Sequence, residues 1–184
     1  MQLTKTQETL EVFKNFVIQQ ARTRLTKGNK NVSKELYNSL KGNVKAMANS
    51  ISVEFEMEEY GIYQDQGVNP IGKKIYDTPY QYKRFPSFNG AFAKSMAKWA
   101  KQKNIRLRDS KGRFTKGNYQ TIGYILAKRI ATGQNKNKGI KPSLFFTKPF
   151  EQAFKKLPNE LVENFGLDIE DFLAFTLKED RLKK

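Results

Sequence analysis

Leu10, Phe13, Phe16, Val17, Ala21 and Leu25 recur at spacings of three and four. That is the period of an amphipathic helix, so residues 4–27 are expected to be helical and to stop at Gly28-Asn29. Residues 33–40 carry a shorter helical pattern behind Ser33, a residue type that caps helix N-termini. Then the period changes. Ile51, Val53, Phe55 and Met57 alternate with Ser52, Glu54 and Glu56, which predicts a strand with one buried face and Glu54 and Glu56 on the solvent side. Val44, Ala46 and Ala48 alternate more weakly before it, and Asn49-Ser50 supplies a turn. Residues 43–57 therefore read as a hairpin, followed by a short helix over 58–66 that Gly67 terminates.

The second half alternates loops with helices. Pro70, Gly72, Pro79, Pro86 and Gly90 make 67–90 a long ordered loop, held by Tyr76, Tyr80, Tyr82, Phe85 and Phe88. A helical period resumes over 91–103 through Phe92, Met96, Trp99 and Ala100, with Phe92 and Trp99 expected in the core. Residues 104–117 read as a basic, glycine-containing hairpin or loop. Residues 118–132 form another helix, with Ile122, Ile125, Leu126 and Ile130 on one side. Gly133–Gly139 is a flexible polar loop. Residues 147–177 are mostly helical, interrupted near Pro158, with Phe150, Phe154, Leu161, Phe165, Phe172 and Phe175 as the apolar side. The expected class is α+β: a small antiparallel sheet packed with several helices and a long C-terminal helix. The chain reads as one domain, 1–184, with a basic loop and helix insertion at about 71–141.

Composition narrows the chemistry. The chain has 184 residues, no Cys and no His. Disulfide frameworks, thiolate or imidazole metal sites, cysteine nucleophiles and Ser-His-Asp catalysis are excluded. No apolar run approaches the roughly 20 residues that span a bilayer, so no membrane partner is expected. Met1-Gln-Leu-Thr-Lys5 lacks the pattern of a secretory signal, and the expected compartment is a reducing cytoplasm or a particle assembled there.

Charge changes the picture more. Of 34 Lys and Arg against 18 Asp and Glu, residues 71–141 carry 18 of the bases and only two of the acids, Asp77 and Asp109. The whole net charge of +16 lies there, between two flanks that are close to neutral. A scaffold with a cationic working surface calls for an anionic partner: nucleic acid, an acidic protein surface or, with less weight, a membrane surface. Basic and aromatic residues interleave over 73–119, which suits contact with a phosphate backbone by charge and stacking, without a base-reading motif.

Carboxylates cluster in two places, the first of which could serve a metal-dependent nuclease. Glu54, Glu56, Glu58, Glu59 and Asp65 are read as the charged edge of a sheet. Asp168, Glu170 and Asp171 are read as a solvated helix face. The glycines match neither a phosphate-binding loop nor a dinucleotide fingerprint. No catalytic residue, metal or cofactor is expected.

Three stretches, in order, resemble the tail-completion and head–tail connector (neck) proteins of tailed bacteriophages. Glu59-Tyr-Gly-Ile-Tyr-Gln-Asp-Gln-Gly-Val68 is similar to the family's Tyr-Gly-x-apolar-x-Asp-x-Gly-Val segment after the sheet strand. Ser110-Lys-Gly-Arg-Phe114, followed by the Tyr124–Ile130 helix, resembles its Lys-Gly-Arg-Phe loop and apolar helix. Gly139-Ile-Lys-Pro-Ser-Leu-Phe-Phe146, with Lys148-Pro-Phe150 behind it, is similar to the segment leading into its final helix. The resemblance covers roughly residues 30–175.

The resemblance implies a non-enzymatic virion protein, assembled in the bacterial cytoplasm. It would form a ring, commonly a hexamer, in the neck or at the head-proximal end of the tail. Adjacent connector, portal-side and tail proteins would be its neighbours, and double-stranded DNA would pass through its channel. Residues expected to touch partner or DNA are Lys73, Lys74, Lys83, Arg84, Arg106, Arg108, Lys111 and Arg113. Strong phosphate binding would hold DNA that must slide, so most of these charges are expected to face acidic proteins. The alternative is a non-specific nucleic-acid-binding protein that uses 71–141 as its basic face. A metal-dependent nuclease is a third, weaker option.

Overall fold

A computed structural model describes residues 3–28, 33–47, 50–83, 87–132 and 138–182. Among these are seven helices and a two-stranded antiparallel sheet, an α+β fold. The chain divides into two compact units. One comprises Met1–Gly28, Leu36–Glu58 and Phe145–Lys184, and the other Asn29–Glu35 and Glu59–Leu144.

The first unit is built on α1 (Thr4–Lys27). Its buried positions Leu10, Phe13, Val17, Ala21 and Leu25 form the stripe that the sequence period predicts. Against it lie α2 (Glu35–Ser39), the hairpin of β1 (Lys41–Met47) and β2 (Ser50–Glu56), α6 (Thr147–Phe154) and α7 (Leu157–Leu182). Lys41 pairs with Glu56 and Met47 with Ser50 at the ends of the ladder. Ile51, Val53 and Phe55 face Leu10, Phe13 and Val17, while Met57 packs on a second cluster of Ala21, Leu25, Leu36, Leu40 and Phe145. Phe55 meets Phe13 and Phe146 edge to face, with ring centroids 6.1 and 5.3 Å apart. Glu54 and Glu56 are exposed, and Glu54 pairs with Lys45 at 2.5 Å.

The helix α2 starts at Glu35, and Lys34 takes φ 56° between it and Ser33, so Ser33 does not flank the helix. The Asn49 half of the expected turn lies outside the described residues. Of the apolar side expected over 147–177, Phe150 and Leu161 pack on the core, but Phe154, Phe165, Phe172 and Phe175 are exposed. The break does fall near Pro158, at Lys155-Lys156. Pro158 sits in the first turn of α7, where its missing N–H costs nothing.

The solvated face expected at Asp168 is the largest departure. Asp168 is 4% exposed. Its carboxylate accepts the backbone N–H of Lys5 at 3.1 Å and of Thr6 at 2.9 Å, and the Thr6 hydroxyl at 2.8 Å. The N-terminus of α1 has no side-chain cap of its own at Leu3. Asp168 supplies from α7 what a local Ser or Asp would supply, an anion on the orphan N–H groups at the positive end of the helix dipole. Burial opposes its ionisation, but the Thr6 and Lys5 donors outweigh burial and hold its pKa below the usual carboxylate value. Asp171 beside it binds Lys5 Nζ at 2.6 Å, and that hydrogen bond, against some desolvation, raises the lysine.

In the second unit, α3 (Tyr60–Gln66) ends at Gly67, whose φ of 81° is glycine territory. Helices α4 (Ala91–Gln102) and α5 (Tyr119–Thr132) pack closely. Gly123 permits this: a Cβ there would lie 2.4 Å from the Ala93 carbonyl oxygen and 2.7 Å from the Ala97 Cβ. The buried face of α5 is Ile122, Gly123, Ala127 and Ala131; of the expected side, Ile122 is buried and Leu126 half-buried, but Ile125 and Ile130 are exposed. Small residues bring the helices together and turn Ile125 and Ile130 outward. Trp99, expected in the core, is likewise 39% exposed, and Ala100 is the fully buried residue of α4.

Phe55→Ala is expected to cost about 3 kcal/mol in denaturant unfolding, the low end for a phenylalanine because the ring is half-buried. Glu54→Gln is expected to stay within about 0.5 kcal/mol, as for an exposed ion pair. Asp168→Ala is expected to cost about 1–2 kcal/mol, the range for losing a helix cap. Its depressed pKa makes the Asp168 contribution complete above about pH 4, the unfolded value, and lost as pH falls through the folded pKa. Unfolding curves across the acid range are expected to show a shallower acid limb for Asp168→Asn than for the wild type.

Candidate functional site

The cationic insert lies wholly in the second unit. Its first part, the loop after α3, is organised by one side chain. Asn69 is buried at 3% exposure. Its Oδ1 accepts the N–H groups of Ile75 and Tyr76, both at 2.7 Å. Its Nδ2 donates to the carbonyls of Tyr76 at 3.0 Å and Thr78 at 3.3 Å. Its backbone donates to Tyr80 and accepts from Tyr82. The Thr78 hydroxyl, also buried, donates to the Gly67 carbonyl. The expected aromatics share in holding this loop, Phe88 meeting Tyr124 edge to face at 5.9 Å, but polar Asn69 and Thr78 organise its backbone. Among the aromatics, Tyr80 meets Tyr63 edge to face at 4.9 Å and Tyr76 donates its hydroxyl to the Lys138 carbonyl. Burial raises the Tyr82 phenol above its ordinary pKa. Phe85 lies outside the described residues.

The loop is tied at its base to residues 139–144. Val68 and Ile140 exchange backbone hydrogen bonds at 2.9 and 2.8 Å. Ser143 and Leu144 donate to the Asp65 carbonyl, each at 3.0 Å. The approach is close enough to require glycine on both sides. A Cβ at Gly67 would fall 2.6 Å from the Ile140 carbonyl oxygen, and one at Gly139, φ 62°, 2.1 Å from that of Val68.

Lys73 and Lys74 project from the Asn69 loop, both exposed, with Lys74 3.8 Å from Asp77. Lys83 is exposed, and Arg84 lies outside the described residues. The remaining four predicted residues share a hairpin. Arg108 and Phe114 bridge its antiparallel arms, and Asp109 builds the turn. Asp109 Oδ1 accepts the N–H groups of Lys111 and Arg113, each at 2.9 Å, and Oδ2 accepts Arg113 Nε at 3.0 Å. The Arg113 backbone donor leads in holding the Asp109 pKa below the usual range. Phe114 is 60% exposed. The Arg108 guanidinium lies 4.2 Å from its ring centroid and that of Arg106 5.8 Å. Arg108 also donates to the Gly112 carbonyl at 2.9 Å.

The hairpin thus holds two guanidinium groups within cation–π range of one exposed ring, with Lys111 at the tip. Stacking leaves guanidinium N–H edges free to meet a carboxylate or phosphate. Sequence reasoning passed over a third cationic element. Lys94, Lys98 and Lys101 are all exposed on α4 at spacings of four and three, a helical stripe that the sequence period could have revealed. Among the described residues, no group of three or more acidic side chains converges as metal ligands, and no helix is long and apolar enough to cross a membrane. Comparison with protein-family models, curated proteins and solved structures gives no match.

Replacing Asn69 by Ala strands the Ile75 and Tyr76 donors. The expected cost is about 3 kcal/mol, with the loop losing amide protection first. Hydrogen exchange on residues 70–82 checks this, and Asn69→Asp, which removes the two donated bonds, is expected to open the same segment.

Proposed function

We propose that this chain is a non-enzymatic structural protein of a tailed-phage virion, forming a ring in the neck or at the head-proximal end of the tail. One observation carries the reading. The two segments 59–68 and 139–146, which bear its resemblance to neck proteins, meet in a single junction through Val68 and Ile140. The third, 110–114, forms the tip of an exposed cationic hairpin. That division suits a subunit whose shared segments hold the monomer and whose loop contacts a neighbour. A ring of this kind closes by heterologous, head-to-tail contacts. Its channel would pass double-stranded DNA, and adjacent portal-side, connector and tail proteins would offer acidic surfaces to most of Lys73, Lys74, Lys83, Arg84, Arg106, Arg108, Lys111 and Arg113.

The exposed Phe114 ring beneath two arginines favours one second reading, non-specific nucleic-acid binding by stacking and charge.

Joining of tails to filled heads separates the two. The triple variant Arg106→Glu, Arg108→Glu, Arg113→Glu, supplied as the only copy during particle assembly, is expected to leave filled heads without tails. Normal joining and infectivity with this variant would remove the working role of the hairpin. The nucleic-acid reading instead predicts that the purified wild type binds duplex DNA with an affinity that falls steeply from low to moderate salt, about one power of the salt concentration per phosphate contact.

A further inference from the structure

Helix α7 carries an apolar stripe that its own unit does not cover. Val162, Phe165, Ile169 and Leu173 recur at spacings of three and four, which places them on one face. Val162 is 75%, Phe165 44% and Leu173 53% exposed, and Ile169 is half-buried. A Cβ added at Gly166, beside the stripe, would meet only open space. Glu163 and Glu170, a heptad apart, flank the stripe and take part in none of the described ion pairs. From Leu157 to Leu177 the sequence has five acids and no Lys or Arg. Two of them, Asp168 and Asp171, are committed to the start of α1. Of the remainder, Glu163 and Glu170 form an acidic edge along one side of the apolar face.

The hairpin at 105–115 is the complement of this surface. Phe114 is the exposed apolar anchor, and Arg106, Arg108 and Lys111 are the rim. Aromatic and arginine side chains are the types that concentrate binding energy at protein interfaces. The hairpin cannot face its own copy across a symmetric contact, because like charges would be brought together. Opposed to the α7 stripe it meets both a place for the ring and carboxylates for the guanidinium groups.

We infer that the Phe114 hairpin of one copy docks on the Val162–Leu173 stripe of a second copy, forming the head-to-tail contact of the assembly. This rests on the reading of the chain as a ring subunit, whose failure shows in particle assembly; the contact itself is tested on the purified full-length chain. Light scattering over a concentration series is expected to show self-association that weakens with salt. Phe114→Ser, at an exposed position on a hairpin arm outside the core, is expected to weaken it about tenfold or more, as truncation of an interface anchor does. Arg106→Glu with Lys111→Glu, and separately Glu163→Lys with Glu170→Lys, are each expected to associate poorly alone. Mixed, they are expected to recover association, because the reversed hairpin then meets the reversed rim.

Carbodiimide cross-linking of a mixture of isotope-labelled and unlabelled chains is expected to join Lys111 to Glu163 or Glu170 between copies. Cross-links confined to single copies, a wild type that stays monomeric at every concentration, or association indifferent to Phe114→Ser would each overturn the contact. So would a Phe114→Ser chain that loses DNA affinity while associating normally, since the hairpin would then belong to nucleic acid. Should the contact fail while charge-reversed particles still lack tails, the neck reading stands without it.

Discussion

The carboxylate of Asp168 is the interaction on which the first unit turns. Helix α1 provides buried side chains to both hydrophobic clusters, so its position fixes where the hairpin and α6 can pack. Its first turn has no local cap, and four backbone N–H groups at a helix start need acceptors. Asp168 satisfies two of them together with the Thr6 hydroxyl, from 162 residues away in sequence. Asn164 extends the same seam by donating to the Thr9 hydroxyl at 2.9 Å. Helices α1 and α7 are thereby registered by directed bonds as well as by apolar contact. Hydrophobic burial alone tolerates sliding, whereas a buried charge with fixed donors does not.

Asn69 imposes the same kind of constraint on the second unit. A loop as long as 67–82 has many backbone groups and no ladder to receive them, and exposed loops normally leave them to water. Here one carboxamide uses both ends to bind four backbone groups, and Thr78 locks the result to Gly67. Lys73 and Lys74 are therefore carried on an ordered loop. Asp109 does the equivalent for the arginine hairpin. In each case a short side chain with several acceptor or donor sites replaces secondary structure as the source of order.

The elements that depend on periodicity were legible in the sequence. The α1 stripe, the alternation in β2, the stop at Gly67 and the break before Pro158 all follow from neighbours in the chain. What depends on distant partners was not. Asp168 looks like any acid on a helix surface, because the donors that bury it stand at residues 5 and 6. Asn69 looks like a loop asparagine, because its partners are six to nine residues on and adopt no regular pattern. The exposed Phe165 and Leu173 obey the core periodicity yet face outward, since period reports only which residues share a face. For α5 the misreading has a steric origin: Gly123 and alanines permit an approach that larger side chains would prevent, so the small residues are buried beside Ile122 while Ile125 and Ile130 face outward. The candidate surface was legible as charge, and four of its members do share one hairpin. The sequence did not reveal that Arg108 and Arg113 are already engaged with Phe114 and Asp109.

That engagement bears on how so cationic a segment stays folded. Two like charges about 4 Å apart in water repel by roughly 1 kcal/mol, and the repulsion grows as water is excluded. With 18 bases and two acids between residues 71 and 141, local neutralisation is not available. Both acids are used where cations crowd: Asp109 inside the arginine turn, and Asp77 beside Lys74. The Phe114 ring offers its negative face to Arg106 and Arg108, which relieves repulsion without spending an acid. The rest of the charge stays on exposed side chains, where solvent and salt screen it. A surface arranged in this way is stable alone only while it remains wet. Removing that water without a large electrostatic cost requires a partner that supplies negative charge.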